Sequence, residues 1–255
     1  MKLWSAFLSL GLLVATHARA AEETRPIVQA SLHGIADYGL APLHWGQEDF
    51  AWILPAALGT GLLWNNDLYL YKQLSTGSAR QDWLDKTMPT VSNVGEGAPE
   101  ALLVLLGYGL GNERLTKTSG TALQALAVSA AYTVIFKVAA WSNRPSQDAT
   151  QHRLWAYDQG TQGMPSGHTF SAFALAEVYG AEYGRVLPYT LASIVGYSRI
   201  YNQAHWSSDV FVGMVLGIAA GHLSTVAAKT HGAPALKLSL MDHEGSPLLT
   251  AQWAY

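Results

Sequence analysis

His205 and Asp209 lie four residues apart in the stretch GYSRIYNQAHWSSDVFVG, residues 196–213. A carboxylate beside an imidazole can hold one ring nitrogen protonated and leave the other free as nucleophile or base. Arg199 precedes the histidine, with five residues between them. Each residue also has an ordinary reading. His205 fits a surface loop, and Asp209 opens an apolar segment, where an acidic side chain complements the helix dipole.

Two other stretches carry polar residues into apolar surroundings. Pro165-Ser166-Gly167-His168 stands directly before the apolar run that begins at Thr169. These are ordinary helix-start residues, because a serine hydroxyl accepts from the orphan N–H groups of a first turn. The same exposed N–H groups make an anion site, and a histidine held there sits beside the anion. Lys137 and Arg144 are seven apart, close to two helical turns, so both can project from one helix face before Pro145 stops the helix. A lysine late in an apolar segment either meets an anion or snorkels to the surface. Together, Lys137, Arg144 and Arg199 supply three cations, and Ser166 and Gly167 a hydroxyl and backbone donors. His168 and His205 supply the two proton-active groups that phosphoryl transfer requires.

In this order, Lys137-x6-Arg144-Pro145, Pro165-Ser166-Gly167-His168 and Ser198-Arg199-x5-His205-x3-Asp209 resemble the three-part signature of the type 2 phosphatidic acid phosphatase superfamily. Bacterial class A acid phosphatases and vanadium haloperoxidases share that signature. The resemblance implies that His205 attacks phosphorus to form a phosphohistidine while Asp209 orients its ring. His168 then protonates the leaving oxygen and later activates water. Lys137, Arg144, Arg199, Ser166 and the Gly167 backbone hold the phosphoryl oxygens, with no metal or other cofactor. The match covers residues 137–209 and leaves residues 21–120 and the C-terminal tail unexplained.

The elements that must position these residues read as helices. The 255-residue chain is 49% hydrophobic and 13% charged, well below the roughly 25% charged of ordinary soluble domains. Apolar segments of helical length run over Phe50–Trp64, Glu100–Leu110, Ala122–Trp141, Thr169–Gly184, Leu187–Ser198 and Asp209–Ala228. They predict an all-α bundle of about six core helices in a single domain over residues 21–255. Two stretches, Ser119–Phe136 and Val210–Ala228, are free of charge over about the 18 residues a bilayer span needs, so the bundle is expected to be membrane-associated. Alternating apolar residues around Asp242-His243-Glu244-Gly245 suggest a small C-terminal β-hairpin. Residues 1–20 read as a signal peptide, with Lys2, an apolar stretch and the ending Ala18-Arg19-Ala20. An uncleaved anchor is the alternative. Without cysteine there is no disulfide framework to form, and a bacterial cell envelope fits best, with the site facing the periplasm. The net charge of -3, with scattered basic residues, argues against a nucleic-acid partner.

Within the superfamily, the long apolar segments and Trp141, Trp155 and Trp206 favour a phosphatase of lipid or prenyl phosphates, with the tryptophans facing acyl chains or a membrane interface. Core packing is the other reading of those tryptophans. A soluble periplasmic acid phosphatase is the alternative function. A haloperoxidase fits poorly, because residues 146–164 leave no room for an added domain. A protein that binds phosphorylated lipid without turning it over would not need the His205–Asp209 pair.

Overall fold

The computed structural model describes residues 47–93, 102, 106–107, 109–159, 162–231, 235–243 and 246–254. The proposed leader and most of the expected helix Glu100–Leu110 lie outside them. Six helices follow in order: α1 (Gln47–Ser75), α2 (Asp82–Asn93), α3 (Glu113–Ala140), α4 (Gly167–Tyr183), α5 (Val186–Tyr201) and α6 (Ser207–His231). Two strands, β1 (Ala235–His243) and β2 (Ser246–Ala254), pair with each other in a two-stranded sheet.

Three helices differ from the expected segments for identifiable reasons. α1 continues eleven residues past Trp64 through Asn65-Asn66-Asp67, which reads as a break in the apolar pattern. Asn65 and Asn66 donate back to the carbonyls of Gly61 and Leu62 at 2.9 and 2.8 Å, so their amides do not compete with the helix. α2 lies outside the expected segments, because its composition is largely polar. Its apolar residues Leu84, Met88 and Val91 nevertheless follow helical spacing, and Leu84 and Met88 are buried with Tyr201 of α5. α3 starts nine residues earlier than expected, where the Asn112 side chain caps it by accepting from Leu115 N at 3.0 Å.

Glycine makes the central contact. A Cβ at Gly213, Gly217 or Gly221 of α6 would lie 2.6, 2.4 or 2.5 Å from the carbonyl oxygens of Ser166, Phe170 and Ala174 respectively. Successive turns of α6 therefore lie directly against successive turns of α4, the close approach that small residues at i, i+4 spacing permit. Phe170 and Phe173 fill the flanks of this contact and are almost fully buried, each stabilising by about 1.5–3 kcal/mol.

The outer faces are apolar. Leu54, Leu58 and Leu62 of α1, Val134, Ile135 and Val138 of α3, and Val186, Leu187, Leu191 and Ile194 of α5 are exposed. α3 and α6 are each long and apolar enough to cross a bilayer, yet only 22% and 28% of their most apolar windows are buried within the protein.

Gly217→Ala places a methyl group against the Phe170 carbonyl and must push α4 from α6. It should lower the unfolding free energy by about 1–3 kcal/mol, read from thermal or denaturant unfolding. An unchanged stability would contradict the close helix contact.

Candidate active site

α3 ends where Trp141 adopts a left-handed conformation (φ 41°, ψ 49°) and donates its N–H to the Lys137 carbonyl at 2.9 Å. Arg144 thus lies beyond the helix, and the expectation that it shares a helix face with Lys137 is corrected. The two cations converge by another route. Lys137 Nζ donates to the Gln162 carbonyl at 2.8 Å and to that of Gly163 at 3.2 Å, and Arg144 Nη2 donates to the same Gln162 carbonyl at 3.2 Å. Each retains further N–H donors. Asn143, fully buried, secures the loop behind them. Its amide donates to the carbonyls of Asp148 and Gln151 at 3.2 and 2.9 Å, and its Oδ1 accepts from Arg153 N at 2.6 Å.

Ser166 occupies the N-cap position of α4, but its hydroxyl caps nothing. It accepts instead from Thr169 Oγ1 at 2.9 Å, so the side chain does not serve as a helix cap. The Ser166 N–H donates to the Asp209 carbonyl at 3.0 Å, which joins the start of α4 to the start of α6. Gly167 packs closely on α3, since a Cβ there would come within 3.2 Å of Thr133 Cγ2. His168 follows in the first turn of α4.

Arg199 lies in the last turn of α5, and its Nη1 donates to Ser92 Oγ of α2. Its carbonyl accepts from the N–H groups of Ala204 and His205, at 3.0 and 3.3 Å. That places His205 in the tight connection to α6, buried rather than on a surface loop. His205 Nδ1 faces Asp209 Oδ2 at 3.4 Å, and the same oxygen accepts from Trp206 N at 3.0 Å.

Burial is the first cause that holds the His205 pKa well below its ordinary value, followed by the positive charges of Lys137, Arg144, Arg199 and His168. Burial likewise lowers the Arg144 pKa, against the opposing pull of Asp209. The three signature stretches therefore meet electrostatically at one imidazole. The N-termini of α4 and α6 both open here, where their dipoles favour an anion. Among the described residues, no group of three His, Asp or Glu side chains gathers as a metal site.

Several contributors carried no readable signal. Ser92 steadies Arg199 from a helix the sequence pattern concealed. Asp67 and His152 are buried behind Asp209: His152 Nδ1 lies 2.7 Å from Asp67 Oδ2, and its Nε2 lies 3.4 Å from Asp209 Oδ1. Neither belongs to one of the three signature stretches. Trp206 is a core residue, 1% exposed, with its indole N–H on the Asn143 carbonyl at 3.1 Å, so it faces neither acyl chains nor solvent. Trp155 and Tyr157 are 62% and 63% exposed, next to the loop that carries Arg144.

An imidazole backed by a carboxylate and ringed by cations is an arrangement suited to an anionic group. Residues 120–232 match the sequence model of the PAP2 superfamily. A lipid A 1-phosphatase of Porphyromonas gingivalis is 49% identical over 77 residues, which are 28% of this chain and 17% of that protein. The matched stretch is thus about a sixth of the relative's length. The crystal structure of Aquifex aeolicus LpxE superposes with a TM-score of 0.50 at 23% identity, over 62% of this chain and 93% of that one. That of a transmembrane PAP2-type phosphatidylglycerolphosphate phosphatase from Bacillus subtilis gives 0.54 at 20% identity, over 69% and 96%. Both share the helical fold.

Asn143→Ala should strip the loop between α3 and α4 of three hydrogen bonds. Leaving buried groups unsatisfied costs about 1–3 kcal/mol each when nothing replaces the partner, so denaturant unfolding should show a loss of at least about 1 kcal/mol. No loss would mean that the loop is held by other contacts.

Proposed function

We propose that this protein is a metal-independent phosphatase of phosphorylated lipids that works through a phosphohistidine on His205. The observation that carries the reading is the buried His205–Asp209 pair with Lys137, Arg144, Arg199 and His168 all acting on its imidazole. His205 Nε2 attacks phosphorus while Asp209 holds the opposite side of the ring. The transition state spreads negative charge over three equatorial oxygens, and the fixed cations and helix N-termini stabilise it there. His168 gives a proton to the departing oxygen, then takes one from the water that releases phosphate. Ser166 and the Gly167 backbone serve as phosphate ligands.

The lipid part of the reading rests on the outward apolar faces and on what the relatives are named for: lipid A and phosphatidylglycerolphosphate. A soluble protein buries the apolar face of its longest helices, whereas lipid covers an exposed one. The exposed apolar faces support a place in the bacterial envelope with α3 and α6 in the bilayer, and the proposal sets the catalytic end toward the periplasm. Residues 1–20 act as its export signal. Exposed Trp155 and Tyr157 suit the interface between lipid and water.

Purified protein should release phosphate from lipid phosphates faster than from soluble esters, and EDTA should leave the rate nearly unchanged. Equal rates on soluble esters, with the chain recovered in a periplasmic extract, would replace the lipid reading by the acid-phosphatase one. Loss of activity in EDTA, restored by magnesium or zinc, would overturn the metal-independent mechanism.

The pH dependence has a definite sign. A histidine must be neutral to attack, and the folded-state pKa of His205 is depressed, so the ring stays neutral as pH falls through about 6.5. The acid limb of kcat/KM that belongs to His205 should therefore lie below about pH 6.5. A nucleophile titrating at or above that value would contradict the site. The linked stability is present above the unfolded pKa and declines as pH falls below it, because the unfolded chain takes up the proton first.

A further inference from the structure

We infer that His152 is a positioning residue for the reaction, a third histidine that orients Asp209 from the side opposite His205; this rests on the proposed role of the His205–Asp209 pair. Four side chains from three separate parts of the chain line up in the order Asp67, His152, Asp209, His205. The first link is a 2.7 Å contact between Asp67 Oδ2 and His152 Nδ1. The second sets His152 Nε2 3.4 Å from Asp209 Oδ1, and the third sets Asp209 Oδ2 3.4 Å from His205 Nδ1. His152 Nε2 and Asp209 Oδ1 are both buried and make no hydrogen bond among the described residues. Each is therefore the other's nearest compensation. Leaving either without a partner costs about 1–3 kcal/mol.

The surroundings hold the ring in this place. The His152 side chain is 1% exposed, and the Trp64 ring stacks on it at 3.8 Å and 25°, with Trp206 at 5.2 Å and 19°. Asn143 grips both chain neighbours, accepting from Arg153 N and donating to the Gln151 carbonyl. Asp67 is itself fixed by Ser208, whose N–H donates to Oδ1 at 2.9 Å and whose hydroxyl donates to Oδ2. Carboxylate oxygens only accept, and each ring nitrogen of His152 faces one carboxylate, Nδ1 that of Asp67 and Nε2 that of Asp209. With Oδ1 facing His152 Nε2, the Asp209 carboxylate presents Oδ2 to His205. A ring that merely filled space would not require its two nitrogens to meet two carboxylates.

Three variants test this against a role in packing alone: His152→Phe keeps an aromatic ring but no N–H, His152→Gln restores a donor near Nε2, and Asp67→Asn keeps shape and removes the anchoring charge. Competitive inhibition by inorganic phosphate reports whether the site is folded. His152→Phe should lower kcat about 10–100-fold, the range for supporting partners of functional side chains, with KM and phosphate inhibition nearly unchanged. His152→Gln should recover much of that loss, and Asp67→Asn should fall between. Unchanged kcat in a phosphate-binding His152→Phe, or equal loss in the Phe and Gln variants, overturns the proposal. If His152→Phe no longer binds phosphate, Asp67→Asn and His152→Gln decide: normal kcat in the former, or failure of the latter to bind phosphate, makes the ring a packing element. Wild-type protein that hydrolyses no phosphate ester, or that keeps its rate in His205→Ala, fails the proposed function instead.

Discussion

The site depends on one backbone hydrogen bond, from Ser166 N–H to the Asp209 carbonyl. It ties the first turn of α4 to the first turn of α6, so two helix N-termini and two signature stretches share one point. The bond forms only because Gly213 carries no side chain where α6 meets the Ser166 carbonyl. Gly217 and Gly221 continue the contact along both helices, so an apolar packing stripe sets the distance between polar groups at its end. The bundle thus converts close helix packing, indifferent to chemistry, into the placement of polar groups at the end of the stripe.

That placement has an electrostatic consequence. Cations gathered around a histidine oppose its protonation, and Lys137, Arg144, Arg199 and His168 add to burial in holding the His205 pKa down. Lys137 and Arg144 reach this place by anchoring on a shared carbonyl, and Arg199 is held by Ser92 on α2. Burial strengthens every one of these interactions by lowering the local dielectric. Asp209 supplies the compensating negative charge and stands between two histidines rather than beside one.

The sequence made some of this legible and concealed the rest for physical reasons. The polar residues of the three signature stretches stand out because each interrupts an apolar run, and Lys137, Arg144, His168, Arg199 and Asp209 act on His205 in the structure. The helical class was equally plain, since long apolar segments admit few alternatives. Helix limits were not: Asn65 and Asn66 look like breakers until their amides are seen bonded within the helix, and α2 has too short a buried stripe to stand out from its charges. Asp67 and His152 were invisible because their significance lies in a contact across 85 residues, with no periodicity to mark it. Trp206 illustrates the reverse case, a residue beside a motif whose position suggests substrate contact but whose indole belongs to the core.

The central claim is that His205 carries the phosphoryl group, and trapping that group measures it directly. Protein mixed with a 32P-labelled phosphate ester and quenched within the first turnover should hold label that is stable in alkali and lost in acid, as phosphohistidine is. Peptide mapping should place it on His205, and His205→Ala should hold none. A protein that turns over the ester at full rate in the His205→Ala form, or that carries its label on a serine stable to acid, would contradict the account.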